Sequence, residues 1–519
     1  MAQANKIDSN ITALAFAEEE SLGVLPGSPV WNRLEPNSYS DFGGDIKTVA
    51  PNPINPNRQR RKGKPVDIDT AGGFNHNLTF YNLTKLMQGA LFASVREQVT
   101  SKPLNDDPVA FTSVSASTDG FVATDSLPSG FLENHLILAG GFANNGNNGI
   151  FVVESVSGDD SVVTTAELVD EASPPAAAYV RVVGYQSAAG DLDVVNSGTS
   201  FPVINSTALD FTTLGLVPGQ WIYLGGDASP MNFTNAANNG FKRIRSISAN
   251  QLVIDKSGTT MVTEVNTTKT VQMWIGDVLK NELDDLIVRR TYHVERTLGA
   301  DELSAPMDIQ SEVLTGAAVN EVTINIPQAD LINVDFKFMA IDNEQRLSTD
   351  GPLQTSVVRP KESDVFNSTS DVPRMRMSII SDTIANPSAL FAFITEGTIT
   401  LNNNITTDKA VGVFGGFDLT TGTFEVGGSA TAYFSTVEAV KAVRDGADVT
   451  VDFIIGGNNK GLVIDLPLIS LGDARLKVEQ DKSIMLPLKM DAATAVEINP
   501  NLDYTVMITL FNYLPTVAA

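Results

Sequence analysis

The sequence predicts a mainly β fold, a β-sandwich or barrel with a flanking helix. Two patterns indicate it: short apolar segments alternate with turn clusters, and the residue types that favour strands and turns dominate. A length of 519 residues predicts two to four domains. With 42% hydrophobic residues, the chain has enough apolar material for packed cores.

The N-terminal part predicts a loop, a strand and a helix, in that order. Residues 51–68 are rich in Pro, Asn and Arg, which is typical of a long exposed loop. A strand is expected from Phe74 to Tyr81, and a helix from Leu83 to about Ala93 with Asn82 as its N-cap. The loop holds a conspicuous basic cluster: Arg58, Arg60, Arg61, Lys62 and Lys64.

Residues 101–277 predict a pair of repeated small all-β modules, at about 111–190 and 200–277. This stretch is dense in Gly, Asn, Ser and Thr, and its predicted strands are short. Three blocks recur in the same order: 136–141 with 221–226, 147–149 with 238–240, and 156–163 with 247–254.

A second duplication spans the rest of the chain. Gly72-Gly73-Phe74 and Gly427-Gly428-Ser429 each lead through a strand into a helix, and the strand 322–327 matches 462–467. This order predicts two copies of one sheet-plus-helix domain. The first copy comprises 1–100 with 278–360, interrupted by the modules, and the second comprises 361–519. Two unrelated α+β domains are the alternative.

The second helix has clear boundary signals. Ser435 and Glu438 predict a capping box, and Gly446 marks the C-terminal end. Val437, Val440 and Val443, together with Ala439, lie at helical spacing and predict the buried face. The final strand, 504–510, is expected to direct one apolar face to a core and to place Thr505 and Thr509 on the other.

No catalytic or metal-binding motif emerges, and the sequence predicts neither an enzyme nor a cofactor. The chain has no Cys, and its histidines (His76, His135 and His293) lie in separate segments, whereas a metal site needs clustered donors. Asp284-Asp285 and Asp159-Asp160 are adjacent carboxylates in predicted turns. The N-terminus lacks a signal-peptide pattern and no apolar run is long enough to span a membrane, so synthesis in a cytoplasm is expected.

The net charge of −26 argues against tight binding to phosphate backbones. Against this background, the basic cluster at 58–64 favours contact with an acidic neighbouring subunit. A solvated loop and a nucleic-acid contact are the alternatives.

Several segments resemble the major tail tube proteins of long-tailed, non-contractile bacteriophages (siphophages). The likeness covers roughly residues 12–100 and 278–519. The segments that carry it are 18–31, 56–59 followed by Gly72-Gly73, 314–316 with the strand 322–326, 396–404, and 424–428.

The resemblance implies a structural virion protein, with two copies of the tail tube domain in the chain. Subunits of this family join their sheets into closed barrel rings that stack into a hollow tube for genome ejection. A long loop contacts the adjacent ring, and the cluster Arg58, Arg60, Arg61, Lys62 and Lys64 is the candidate. Some members carry immunoglobulin-like decorations outside the tube, which the 101–277 modules resemble.

Further expectations follow from the resemblance. Two domains per chain predict a homotrimeric ring with pseudo-sixfold symmetry. The partners are other copies of the chain and the tail tip, tape measure and tail terminator proteins, while DNA passes an acidic lumen without specific binding. The alternatives are a carbohydrate-binding adhesin and a polysaccharide hydrolase.

Overall fold

The computed structural model describes residues 7, 9–54, 56, 59–80, 84–300, 309–347, 349–354, 357–358, 365–391, 393–516 and 518. Within these ranges the chain forms 31 strands and two α-helices, which confirms the predicted mainly β fold. Short 3-10 helices lie at Ser9–Ile11, Asn145–Asn147, Phe211–Leu214, Ala236–Asn238 and Asp284–Leu286.

Four strands and one helix precede the inserted modules. They are β1 (Ala13–Glu18), β2 (Trp31–Leu34), β3 (Ser38–Val49), β4 (Lys64–Asn77) and α1 (Thr84–Leu91). β4 begins well before the predicted Phe74, because its first half forms an exposed hairpin with β3 alone and has the polar composition of a loop. The predicted N-cap, Asn82, lies outside the described residues.

Twelve strands form the region between α1 and residue 276, which is called the insertion below. They are β5 (Phe111–Ser115), β6 (Gly120–Ala123), β7 (His135–Gly140), β8 (Gly149–Ser157), β9 (Ser161–Thr164), β10 (Tyr179–Gln186), β11 (Asp193–Val195), β12 (Val203–Asn205), β13 (Trp221–Leu224), β14 (Gly240–Ser248), β15 (Gln251–Ser257) and β16 (Gln272–Ile275). Their order is β5–β6–β9–β8–β7–β10 in one half and β11–β12–β15–β14–β13–β16 in the other. The halves meet through β10 and β16.

The repeated blocks of the insertion make the same contacts in both halves. Asn147 and Asn238 are fully buried, and their Nδ2 atoms donate to Glu171 Oε2 at 3.1 Å and Glu264 Oε2 at 2.8 Å. The Oδ1 atom of Asn147 accepts from the backbone N–H of Val169, and that of Asn238 accepts from Val262, both at 2.9 Å. Each valine lies two positions before the glutamate of its half. The asparagines recur because a buried amide needs these partners in each half.

Fifteen strands and one helix follow the insertion. They are β17 (Asp277–Lys280), β18 (Tyr292–Ala300), β19 (Ile309–Ile326), β20 (Asn333–Ala340), β21 (Asp342–Arg346), β22 (Val357–Val358), β23 (Arg374–Ile379), β24 (Ile394–Asn402), β25 (Thr406–Asp408), β26 (Asp418–Thr420), β27 (Glu425–Tyr433), α2 (Val437–Arg444), β28 (Val449–Gly457), β29 (Lys460–Gly472), β30 (Met485–Ala493) and β31 (Met507–Phe511).

Two sets of these strands share one antiparallel pairing pattern. In the first set, β3–β4–β20–β19 are neighbours, β19 also pairs with β18 and β21, and β18 pairs with β1. In the second set, β24–β27–β30–β29 are neighbours, β29 also pairs with β28 and β31, and β28 pairs with β23. Each helix follows the second strand of its set.

The register between the sets differs from the sequence alignment. Gly73 pairs with Lys337 in the first set, and Ser429 pairs with Lys489 in the second. Gly72 therefore corresponds to Gly428, whereas the sequence alignment matched Gly72 with Gly427. The strand 322–326 pairs with β20 and β24, whereas 462–466 pairs with β28 and β31. These two segments therefore occupy different parts of their long strands, and that predicted match is wrong.

Helix α2 corrects part of the sequence prediction. Its N-cap is Thr436, which makes no side-chain capping bond, so the expected capping box at Ser435 is absent from this described helix. Ala439 and Ala442 are its buried residues, whereas Val437 is 70% exposed. Gly446 has φ +63° just beyond the C-cap, as its predicted role requires.

One core lies beneath both strand sets. Phe74 stacks on Phe336 with ring centroids 5.4 Å apart, and Leu86 and Leu91 of α1 pack into the same cluster. The second set contributes Phe453 to that cluster. The two sets therefore fold as one body.

Candidate lumen face and assembly edges

A continuous sheet of eight strands joins the two sets, in the order β3–β4–β20–β19–β24–β27–β30–β29. The junction is an antiparallel pairing of 321–326 in β19 with 397–402 in β24. One face of this sheet covers the apolar core, and the opposite face, here called the polar face, is made of the alternating residues. One row across it reads Ser38, Asn75, Asp335, Thr323, Thr400, Gly427, Asp491 and Ser470.

Side-chain hydrogen bonds link neighbouring strands across the polar face. Asn75 Nδ2 donates to Asn333 Oδ1 at 3.0 Å and to Asp335 Oδ1 at 2.8 Å. Asn325 Nδ2 donates to the same two residues, at 3.0 and 2.7 Å. In the second set, Thr398 and Ser429 hydroxyls lie 2.9 Å apart. These bonds fix the side chains and leave a smooth, hydroxyl- and amide-rich surface.

The polar face carries more negative than positive charge in its eight-stranded part. Its lysines are Lys337 and Lys489, which pair with Glu321 at 2.6 Å and Asp491 at 3.0 Å. Its other carboxylates, Asp335, Glu396 and Glu425, form no ion pair with a described residue. The remaining charge is therefore acidic, consistent with the net −26 of the chain.

Both ends of the eight-stranded sheet are open edges within the described structure. β3 pairs with β4 alone. At the other end, residues 473–478 follow β29 as an irregular segment, held to β30 by a bridge between Lys477 and Met485. In the pairing pattern, residues 473–478 of the second set take the place that 321–326 of β19 occupies in the first set. At the junction, β24 pairs with 321–326.

Two hairpin loops project from equivalent places in the sets. The loop between β3 and β4 holds most of the predicted basic cluster: Arg60, Arg61 and Lys62 lie in it, and Lys64 begins β4. These four side chains are exposed and pair with no described residue, and Arg58 lies outside the described residues. The loop between β24 and β27 contains the hairpin β25–β26, and exposes Val411, Phe414 and Phe417. Lys409 of this second loop bonds to Asp67 and Asp69 of β4, so the second loop is tied to the β3–β4 hairpin.

The insertion packs on the second strand set, although it interrupts the first. Trp221 and Trp274 join one apolar cluster with Ile454, Val463 and Phe511 of β28, β29 and β31. The backbone N–H of Trp221 donates to Thr509 Oγ1 at 3.4 Å. Thr509 is consequently fully buried, because the face expected to be polar is covered by the insertion.

A buried ion cluster reinforces this contact. Arg243 of the insertion donates to Asp255 at 2.8 Å and to Asp465 of β29 at 2.8 Å. Lys256 reaches Asp452 at 3.0 Å and Asp465 at 3.1 Å. Arg374 of β23 completes the cluster through Asp452, at 2.5 Å.

Charge pairing outweighs burial within the ion cluster. Burial alone would raise the pKa of Asp465, but Arg243 and Lys256 hold that pKa below its usual value. Burial would lower the pKa of Arg243, yet Asp255 and Asp465 raise it. Charge pairing thus favours the charged forms of Arg243 and Asp465, and each of these charges depends on its partners.

The histidines lie apart in the fold. His76 and His135 are buried, and burial lowers both pKa values, that of His135 to about 4. His293 Nδ1 lies 2.6 Å from Glu19 Oε1. Asp159-Asp160 lie in an exposed turn, and Asp284-Asp285 lie in the exposed 3-10 helix Asp284–Leu286. No described group of three or more His, Cys, Asp or Glu side chains has the arrangement of a metal site.

No helix in the described ranges is both long and apolar enough to cross a membrane.

Comparison with known proteins identifies the class of this chain. The family model described as phage tail tube protein matches residues 9–492. The chain therefore belongs to the phage tail tube protein family and is a structural component of a virion tail. No curated protein matches the sequence.

Sequence reasoning missed the polar face and the ion cluster. A signal for the face was present, because Asn325, Asn333, Asp335 and Thr323 alternate with apolar residues in two adjacent strands. A signal for the cluster was also present in Asp465, an acid inside the apolar run 462–466. Its partners lie too far away in sequence to be identified by pattern.

Proposed function

We propose that three copies of this chain close into a pseudo-sixfold ring, and that stacked rings form the tube of a long-tailed, non-contractile phage. The observation that carries the proposal is the β19–β24 junction inside one chain. That junction joins the two strand sets, and equivalent edges remain open at β3 and at 473–478. Repeating the junction between chains closes a barrel of roughly 24 strands and removes both edges.

The composition of the open segment supports this pairing. Ala474, Leu476 and Val478 correspond to the buried Val322, Ile324 and Ile326 of β19. Leu476 is 40% exposed and Val478 is 71% exposed in the single chain. An apolar alternation on an exposed edge is an aggregation hazard unless a partner covers it. Strand β3 of a neighbouring chain is the partner we assign.

We infer that the two hairpin loops contact the adjacent ring. The first loop presents Arg60, Arg61 and Lys62, and the second presents Val411, Phe414 and Phe417. A cationic loop on a chain of net charge −26 lowers repulsion between copies. The exposed aromatic residues supply the apolar area that a stable contact requires.

We propose that the polar face lines the lumen through which the genome leaves. Asp335, Glu396 and Glu425 repel phosphates, and the Asn, Ser and Thr side chains are held by neighbours across the strands. DNA therefore slides without specific binding. The insertion lies outside the tube, because it packs on β28, β29 and β31 and not on the polar face. Tail tip, tape measure and tail terminator proteins are the proposed partners.

The edge pairing can be tested with two variants. Val478→Asp places a charge on the edge, and Val265→Asp is the matched control, because Val265 is 73% exposed on the insertion. Both variants should keep the thermal stability of the single chain. Electron microscopy after nucleation with tail tips should show tubes for Val265→Asp and none for Val478→Asp. Normal tubes from Val478→Asp would contradict the proposed pairing.

Electron microscopy of the unmodified chain with tail tips also distinguishes a tube subunit from a carbohydrate-binding protein. Uniform hollow tubes with outer knobs support the proposal. Isolated particles that persist with tail tips, together with glycan retention, would favour the alternative.

A further inference from the structure

A cationic cleft lies between the insertion and the second strand set. Strands β14 and β15 line one side, and β23 with the segment 380–387 lines the other. Five cationic side chains reach it: Arg243, Arg245, Lys256, Arg374 and Arg376. A concentration of this kind is unexpected on a chain of net charge −26.

The carboxylates of the ion cluster do not balance these cations. Asp255, Asp452 and Asp465 are occupied by Arg243, Lys256 and Arg374 at 2.5 to 3.1 Å. Two arginines are left with little compensation. Arg245 is 3.9 Å from Asp255, and Arg376 has no carboxylate within ion-pair distance in the described structure.

The two undercompensated arginines are oriented by neutral groups. Arg376 donates to Asn386 Oδ1 and to the carbonyl oxygen of Pro387. Arg245 donates to the carbonyl oxygen of Ile498 at 3.3 Å and lies 4.6 Å from the centre of the Phe201 ring. Both guanidinium groups are thus positioned without being neutralised.

Buried donors in the cleft also lack acceptors. Nη1 of Arg374 and Nε of Arg376 are inaccessible to solvent and hydrogen-bond to no described atom. Buried donors of this kind are costly unless a ligand or water accepts from them. Burial and repulsion from Arg374 lower the pKa of Arg376, against the opposing attraction of Asp452.

The size of the cleft restricts its ligand. The space for the centres of water-sized molecules is about 30 Å³. A single water needs about 10–15 Å³ on this measure, so a small oxyanion fits and a nucleotide does not.

We propose that this cleft binds one small tetrahedral oxyanion of the inorganic phosphate class, held between Arg245 of the insertion and Arg376 of β23. Two excess positive charges match a dianion, and guanidinium groups bind such oxygens through paired N–H donors. The bound anion joins the insertion to the second strand set. The proposal does not depend on ring assembly.

Equilibrium dialysis of the full chain against radiolabelled inorganic phosphate tests the site, at neutral pH and with ionic strength held constant by chloride. We expect saturable binding of one phosphate per chain. Arg376→Gln and Arg245→Gln should each weaken it at least tenfold, because each removes charge-assisted donors. The control is Lys482→Gln, whose side chain is 70% exposed and does not line the cleft; it should bind like the unmodified chain.

Thermal unfolding provides a second readout. Phosphate should raise the melting temperature of the unmodified chain and of Lys482→Gln relative to equal ionic strength of chloride. The rise should vanish in the two cleft variants. If Arg376→Gln does not fold, Arg245→Gln alone tests the site, because Arg245 is the more weakly hydrogen-bonded of the two. No saturable binding to the unmodified chain, or equal binding by a folded cleft variant, would overturn the proposal.

Discussion

Replacing Asp465 by Asn tests how the insertion is fixed to the body. Asp465 is fully buried and accepts from Arg243 at 2.8 Å and from Lys256 at 3.1 Å. Asn has about the same size as Asp, so the variant creates no cavity. Arg243, Lys256 and Arg374 are then left with two buried carboxylates, Asp255 and Asp452. Removing one partner of a buried pair typically costs about 3–5 kcal/mol. We expect a loss of that order in the free energy of unfolding.

Urea unfolding followed by tryptophan fluorescence measures this loss. Trp221 is fully buried, and Lys256 Nζ lies 5.6 Å from the centre of its ring. Trp274 belongs to the same apolar cluster, so two of the three tryptophans report on the contact. Asp473→Asn is the control, because its partner Arg475 is exposed. A midpoint change for Asp465→Asn no larger than that of the control would refute the reasoning.

The pH dependence of the same pair gives an independent check. The folded pKa of Asp465 lies below its unfolded value of about 3.8, because Arg243 and Lys256 outweigh the effect of burial. A depressed carboxyl pKa contributes stability above the unfolded pKa and loses it as the pH falls through the folded pKa. The stability difference between the original chain and Asp465→Asn should therefore be constant near neutral pH and shrink below about pH 4. A difference that grew on acidification would contradict the assignment.

Three further substitutions separate folding from assembly. Phe336→Ala removes a buried ring that stacks on Phe74, and should cost about 3–5 kcal/mol in thermal or urea unfolding; a loss below 1 kcal/mol would mean that the core contact is wrong. Gly316→Ala forces a side chain at φ +61° and 2.6 Å from Ile341 Cγ1, and should destabilise by more than about 1 kcal/mol, whereas Gly27→Ala has open space and should be neutral. Phe414→Ser changes a half-exposed loop residue, so melting should be unchanged while sedimentation shows loss of stacked tubes; unaltered assembly would remove this loop from the ring contact.

The repeated blocks in the sequence correspond to equivalent local contacts in the insertion, while its division into modules stays a prediction. The blocks around 147–149 and 238–240 recur because buried Asn147 and Asn238 satisfy the same acceptors and donors in both halves. The position of Gly446 was also predictable, since a positive φ favours glycine. The partners of the two asparagines lie 22 to 26 residues further along the chain, within the same half of the insertion.

Features set by distant contacts were not predictable in the same way. The polar first half of β4 looked like a loop because it is an exposed hairpin. Val437 was expected to be buried by its spacing, but α2 packs through Ala439 and Ala442, with Val440 and Val443 partly buried against the core. The matching of 322–326 with 462–466 failed because both segments are alternating apolar strands, and alternation does not define which neighbours a strand pairs with.

The basic cluster illustrates the limit for the candidate site. Its exposure was predictable from composition, and Arg60, Arg61, Lys62 and Lys64 are exposed. The role of the cluster in ring contact stays a prediction. The open edges that carry the proposed ring could be recognised only after the β19–β24 junction was known.

A cryo-electron microscopy reconstruction of the assembled tube tests the central claim most directly. The proposed assembly predicts three chains per ring, with β3 of each chain hydrogen-bonded to residues 473–478 of its neighbour and the polar face towards the lumen. Six chains per ring, or a tube in which these two edges face solvent, would contradict it.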